Sequence, residues 1–390
     1  MTVLTQQRSP PEVDLSATCL TSLAVTGFRN YAECQLDIDA PHVLLLGPNG
    51  AGKTNLLEAV SMLAPGRGLR RARAEHLLYA AGGARAWAVS AALCIGDAQY
   101  RIGSGVPAQS DSGQRIMRRD GETVSQSDIG RLFSASWVTP SMDGIFNDSP
   151  GTRRRFLDRL VIAFDAAHIG RTNRYEKMLR ERNTLLAEGG GDAAWFAAIE
   201  ASLAEAAVAV TAARQALIAD LNAEAGAGWH GFPGVRLVLE GAVDGWLGEM
   251  SALDAEDKFI AVAAAQRQAG DITLPGPHVS DLTAYHAATV TPAYLASTGQ
   301  QKALLIGVVL AHARMQARRL NRPPVLLLDD VVAHLDTDRR RALFEAVTIV
   351  GGQSWFSGTD KADFEGLSAQ LVHVSSDGMT ATLSQSEGLT

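Results

Sequence analysis

The stretch VLLLGPNGAGKTNLLEAV, residues 43–60, constrains the fold more than any other part of the chain. Val43, Leu44, Leu45 and Leu46 form a short apolar run without polar alternation, the pattern of a parallel strand covered on both faces. Leu57, Val60 and Leu63 then recur at helical spacing. Between the two lies G-x-x-x-x-G-K-[ST], here Gly47, Pro48, Asn49, Gly50, Ala51, Gly52, Lys53 and Thr54. Its glycines let successive backbone N–H groups turn inward around phosphate oxygens. Lys53 is then expected to reach the β and γ phosphates, and Thr54 the Mg²⁺. A chance Gly-rich surface turn would lack the flanking strand and helix, so the chain is expected to bind a nucleoside triphosphate.

With 390 residues, 46% hydrophobic and 20% charged, the chain is long enough for two or three globular domains. The stretch ALLIGVVLA, residues 303–311, is the longest apolar run and far short of a membrane span. No transmembrane helix is expected. The first residues are polar, contain Pro10-Pro11 and lack a hydrophobic core region, which predicts a disordered tail, no signal peptide and a cytoplasmic protein. Cys19, Cys34 and Cys94 show no C-x-x-C spacing, so a disulfide framework or structural zinc site is not expected and buried, inert thiols are.

The net charge of −7, from 35 Lys and Arg against 42 Asp and Glu, does not advertise a nucleic-acid partner. Local clusters do so better. Arg67, Arg70, Arg71 and Arg73 lie together, as do Arg115, Arg118 and Arg119, and Arg153, Arg154, Arg155 and Arg159. A phosphate backbone suits such patches, and solvated helix faces explain them equally well.

Residues 20–150 mix strand-like runs such as LAVTGF, AWAVSAALCI and SASWVTP with turns, whereas 152–224 is helix-rich. Two long periodic segments there, separated by Glu188–Gly191, predict an antiparallel helix pair. From 325 strand and helix alternate again. The expected plan is α/β: a tail over 1–19, an ATPase head over 20–150, a helical insertion over 151–285 and the rest of the head over 286–390.

Val325 to Leu328 reads as a second buried strand ending in Asp329 and Asp330. A carboxylate there holds Mg²⁺ opposite Thr54, assigned to Asp329, and a second polarises the attacking water, assigned to Asp330. In YLASTGQQKALL, residues 294–305, Ser297 and Gly299 stand where a loop enters a helix, which makes a second anion site. One triphosphate cradle leaves that second site without a ligand of its own. It is expected to serve the γ phosphate of a neighbouring copy, so that ATP joins two heads.

This order resembles an ABC-type head, and GFRNY, SPGTRRRFLD, GPH, ASTGQQK and LLLDDVVAHLD narrow the resemblance to the RecF family of recombination and repair ATPases. It spans nearly the whole chain from Leu23 to Asp360. The resemblance implies an SMC-like P-loop head with a helical insertion and weak, DNA-stimulated ATP hydrolysis. It also implies an ATP-dependent homodimer that acts at gapped DNA with RecO and RecR to load RecA. Residue by residue it implies that Arg29 and Asn30 approach the nucleotide and that Gly47 to Asn55 hold its phosphates. Ser297, Gly299 and Gln300 match the ABC signature, and Asp336 the loop that crosses the dimer interface. Arg70, Arg71 and Arg73 are taken as DNA contacts.

Some positions depart from the family pattern. Val279 and Ser280 replace an arginine and an acid, His334 replaces an acid, Thr359 stands where transporters carry a switch histidine, and PSMDGIF offers no obvious Mg²⁺-sensing glutamine. Neither His278 nor His334 is assigned a catalytic role. Two other readings stay open. A transporter's ATPase subunit shares the loop, the signature and the acidic strand but spaces loop and signature more closely. A non-hydrolysing, ATP-gated scaffold differs only in rate, because Asp330 is one methylene shorter than the glutamate of fast heads.

Overall fold

The computed structural model describes residues 18–79, 81, 83–108, 113–189, 192–377 and 380–389. The tail expected over 1–19 lies outside them except for Thr18 and Cys19, and Cys19 already begins a strand. Gly190 and Gly191, expected in the turn between the long helices, also lie outside.

The chain opens with β1 (Cys19–Phe28), β2 (Tyr31–Asp37) and β3 (His42–Leu46), and the phosphate loop leads into α1 (Lys53–Ser61). Next come β4 (Trp87–Ile95), β5 (Ala98–Val106), β6 (Ile116–Arg119), β7 (Glu122–Val124), α2 (Gln126–Gly130) and β8 (Ala135–Val138). The helical stretch follows with α3 (Pro150–Ile162), α4 (His168–Ala187), α5 (Ala193–Ala225), β9 (Val235–Glu240), α6 (Ala242–Glu249), α7 (Ala252–Gln268) and β10 (Asp281–His286). The chain closes through α8 (Thr298–Leu320), β11 (Val325–Leu328), α9 (Thr337–Val350), β12 (Ser354–Gly358), β13 (Ala369–Ser376) and β14 (Ala381–Leu389).

The central sheet has the order β14-β13-β3-β12-β11-β8, parallel from β13 to β8 with β14 antiparallel at its edge. Side-chain alternation splits its strands between two cores. Val43, Leu45, Val325, Leu327 and Trp355 face α1 and the antiparallel sheet β2-β1-β4-β5-β6-β7. Leu44, Leu326, Leu328 and Phe356 face the other way, against Leu304, Leu305 and Val308 of α8 and Leu343 and Val347 of α9. Both faces are therefore covered, which is why these strands read as continuous apolar runs. The phosphate loop after β3 and the acids after β11 leave the sheet at one edge, with the end of β12 between them. Open α/β sheets place ligands at such carboxyl ends.

Helices α4 and α5 run antiparallel, as Arg182 meets Glu200 at 3.0 Å while Arg174 meets Glu205 at 2.9 Å. Their lobe has its own core around Tyr175, Leu203, Val208 and Phe259. The stretch is not purely helical. β9 and β10 pair antiparallel with each other, because VRLVLE carries a period-2 pattern that the long helices on either side obscure in sequence. Among the described residues one helix, α5, is by length and composition alone apolar enough to cross a membrane, a test that a core helix of a folded domain also passes. Its apolar residues are shared between cores: Leu203 and Ala207 pack in the helical lobe, Leu217 and Leu221 against the head. The Ala-rich composition thus serves two packing partners. The three cysteines are half-buried where full burial was expected. Cys19 lies opposite Cys94 across β1 and β4, and burial raises the thiols of Cys19 and Cys34, the latter to about 12, which keeps both protonated at neutral pH.

Candidate nucleotide site

Gly50 and Gly52 adopt φ of 82° and 116°, a region open to glycine and strained for other residues. A Cβ on Gly52 would come within 2.6 Å of Asn30 Nδ2, and one on Gly47 would strike the Val374 carbonyl oxygen. Gly50 faces open space, as a backbone lining a phosphate should. Gly52 is also the N-cap of α1 and supplies no side-chain cap, so the helix's first N–H groups stay available to an anion. Lys53, 8% exposed, donates from Nζ to the carbonyl oxygens of Gly47 and Pro48 at 2.7 and 2.9 Å. Burial lowers its pKa while Asp330 and Asp329 pull it back up.

The acidic strand meets this loop directly. Thr54 Oγ1 donates to Asp329 Oδ1 at 2.9 Å, and Ser357 Oγ donates to the same oxygen at 2.7 Å. Burial raises the Asp329 carboxyl, and these two hydroxyls pull it down. A hydroxyl and a carboxylate held together in a mostly buried corner are the oxygen donors that Mg²⁺ takes, so these residues fit that ion. Ser357 Oγ also accepts from Asp330 N at 2.9 Å, and Asp330 has φ 51°. Its backbone is thus fixed in the left-handed region, which aspartate tolerates better than most residues.

Arg29, Asn30 and Tyr31 brace the loop from β1 and β2. Arg29 Nε and Nη2 donate to the two carboxylate oxygens of Glu58 at 2.8 and 3.0 Å, and Glu58 is 1% exposed. Asn30 Nδ2 reaches Ala51 O, its Oδ1 accepts from Asn55 Nδ2, and Tyr31 Oη donates to Gly52 O. Sequence reasoning placed Arg29 and Asn30 against the nucleotide; here their polar atoms hold the loop that would bind it. Tyr31, Glu58 and Ser357 were missed. Glu58 carried a signal, since it is the one acid in the apolar run LLEAV.

Later in the chain, Ser297 caps α8. Its Oγ accepts from Gln300 N at 3.4 Å, and Gln300 Oε1 accepts from Ser297 N at 3.1 Å, a capping box. Ser297 and Gln300 are exposed, and Gly299 faces open space. Behind them Gln301 accepts from Asn147 Nδ2 at 2.9 Å, and Lys302 pairs with Asp143 of PSMDGIF at 3.4 Å. Asp336 caps α9 by accepting from Arg339 N at 2.8 Å, with its side chain 60% exposed.

Of the expected DNA contacts, Arg70 and Arg71 line one cleft and Arg73 does not. Arg70 donates to Asn55 Oδ1 and Glu58 beside the phosphate-loop helix, Arg71 turns into a cleft under the helical lobe, and Arg73 stands 76% exposed next to Glu75. Arg71 has φ 54°, in the left-handed region. Two other clustered arginines, Arg115 and Arg153, are taken up by the protein itself. Arg115 donates to the carbonyls of Met62 and Ala64 at the end of α1, and Arg153 pairs with Asp281 at 2.7 Å. Val279 and Thr359 are exposed, whereas Ser280 is buried and accepts from Arg214 Nη1. His278 Nδ1 lies 2.6 Å from Tyr175 Oη, and the side chain of His334 is outside the described residues.

The sequence profile of the RecF/RecN/SMC N terminal domain matches residues 19–356. The DNA replication and repair protein RecF of Brucella suis biovar 1 is 43% identical over 92% of this chain and 95% of its own length. That of Agrobacterium fabrum is 42% identical over 93% and 98%. Among solved structures, the recombination mediator protein RecF with ATP, from the RecFOR pathway, superposes with a TM-score of 0.79 at 21% identity over 95% of this chain and 98% of that one. An Smc head domain from Pyrococcus furiosus gives 0.52 at 15% identity over 95% and 96%. These likenesses in fold are to ABC-type heads, and the relatives set aside a transporter subunit. The chain belongs to the RecF family of DNA replication and repair proteins.

Proposed function

We propose that this chain is an ATP-dependent DNA-binding protein of recombinational repair and replication-fork maintenance. ATP joins two copies head to head, and the dimer acts in the cytoplasm at gapped DNA, with RecO and RecR, to promote RecA loading. The observation that carries the ATPase part is the 2.9 Å bond between Thr54 and Asp329, which brings the phosphate loop onto the acidic strand end.

In this reading Lys53 exchanges two loop carbonyls for the β and γ phosphates, and the uncapped start of α1 holds their oxygens. Thr54 and Asp329 would hold Mg²⁺, which would supply neutralisation of phosphate charge. Asp330 accepts a proton from the water whose oxygen bonds to the γ phosphorus as the bond to the bridging oxygen breaks, releasing ADP and phosphate. Ser297 Oγ–H and the Gly299 N–H complete the γ phosphate's shell in the other copy's site, with Asp336 at the crossing loop. A short carboxylate on a backbone pinned by Ser357 favours slow turnover, close to a scaffold that hydrolyses nothing.

Fluorescence anisotropy of a labelled gapped duplex over a salt series tests the DNA part. Binding is expected to need ATP and to show a log–log slope of about −0.9 for each phosphate contacted on duplex. Equal slopes with and without ATP, or preference for anionic liposomes over DNA, would contradict it.

A further inference from the structure

The family-specific stretches RRRFLD and GPH have no part in the ATPase chemistry, yet the fold brings both to one place. Between the head and the helical lobe lies a cleft of about 810 Å³. Its walls are the loop after α1, with Arg67, Arg70 and Arg71, the face of α3 with Arg154, Arg155 and Arg159, and the Pro277–His278 turn. The volume falls in the range of about 300–1,000 Å³ that takes a nucleotide-sized ligand.

The charge of this cleft is not balanced from within. Asp158 lies between Arg214, at 2.8 and 2.9 Å, and His168 at 2.9 Å, and Arg70 is taken up by Glu58. Among the described residues no carboxylate lies within ion-pair distance of Arg67, Arg71, Arg154, Arg155 or Arg159, while Glu176 is the other acid in the lining. Arg154 donates to Ser280 O, Arg155 to Thr152 Oγ1, and Arg159 lies 4.3 Å over the Trp137 ring. Desolvation and like charge hold Arg71 below its ordinary pKa, through Arg155 and Arg67, and burial pushes Arg159 down to about 9. A chain of net charge −7 thus places five arginines without an ion pair on one concave surface, where low-dielectric walls focus the field.

We propose that this cleft is a second phosphate site, separate from the phosphate loop, which binds clustered phosphate groups of a single nucleic-acid strand or of a free polyphosphate. Arginine forks from facing walls match phosphate oxygens bidentately. The aromatic rings are unavailable for base stacking, since Trp137 is 5% and Phe156 6% exposed, so recognition is of phosphate and not of base. The nucleic-acid source rests on the DNA-binding reading above; the polyphosphate source does not.

The test compares the parent with the double charge reversal Arg67→Glu, Arg155→Glu, whose positions face each other across the cleft and bond to no residue of the nucleotide site. With the phosphate loop saturated by a non-hydrolysable ATP analogue, a labelled oligothymidylate is titrated by anisotropy over a salt series, and tripolyphosphate by calorimetry. The variant should bind the strand about tenfold more weakly, with a log–log salt slope shallower by about 1.4, two single-strand contacts. Loss for the oligonucleotide assigns the site to a strand; loss for tripolyphosphate alone assigns it to a free polyphosphate. Affinities and slopes unchanged for both ligands overturn the proposal. If the double reversal does not fold, Arg155→Gln alone is read the same way, with an expected slope change of about 0.7. A parent that fails to bind gapped DNA with ATP counts against the proposed function, and the tripolyphosphate titration still decides the cleft.

Discussion

Two helix N-termini in this protein are built in opposite ways. α1 begins at a glycine with φ 116° and no side-chain cap, and its loop is braced from outside by Asn30 and Tyr31. α8 begins at Ser297 inside a capping box that satisfies the N–H groups of Ser297 and Gln300. The first is a preorganised cradle with free N–H groups, built from a single chain. The second is stable without a ligand, and only its exposed hydroxyl hydrogen and the open face at Gly299 remain to be used. The proposed site, split between two copies, would need such a half, stable before a partner arrives.

The predictions sharpen that contrast. Lys53→Ala should lower ATP affinity about 100-fold or more in a calorimetric titration, since the cradle loses its positioned ammonium while the fold keeps two loop carbonyls that water can serve. Unchanged binding would remove the cradle from the account. Asp330→Asn should leave ATP binding in place and cut steady-state hydrolysis about 100-fold or more, whereas Asp329→Asn should weaken the dependence on Mg²⁺ itself. Parent rates in both variants would break the assignment of acids to roles. The smallest effect is at the other helix. Ser297→Ala should cost about 1 kcal/mol of stability in denaturant unfolding, the loss of one cap, with no change in the monomer's ATP affinity.

The contrast also explains what the sequence made legible. Gly47 to Thr54 is contiguous, so its strand, loop and helix announce the cradle locally, and VLLLDD does the same for the acids. The residues that hold those parts come from elsewhere in the chain. Ser357 reaches Asp329 from β12, and Glu58 ties Arg29, in the turn after β1, to Arg70 beyond α1. Such pairings depend on which strands neighbour each other, and no local pattern encodes that. The arginine triplet shows the same limit, because Arg70 and Arg71 line a cleft whose facing wall comes from α3, far away in sequence, while Arg73 lies outside it. Helix α5 was legible as apolar, but its division between two cores depends on the packing of both lobes.

The central claim is that the Ser297 end completes a nucleotide site only in another copy. Sedimentation velocity of the parent and of Ser297→Arg, each with and without ATP and Mg²⁺, addresses it directly. The parent should shift from monomer to dimer on adding ATP. The variant should remain monomeric while keeping the parent's nucleotide affinity, because the added cation fills the gap beside Gly299 and leaves the Gly47–Thr54 loop untouched. A variant that dimerises with ATP as the parent does, or that loses ATP binding as a monomer, would contradict the composite site.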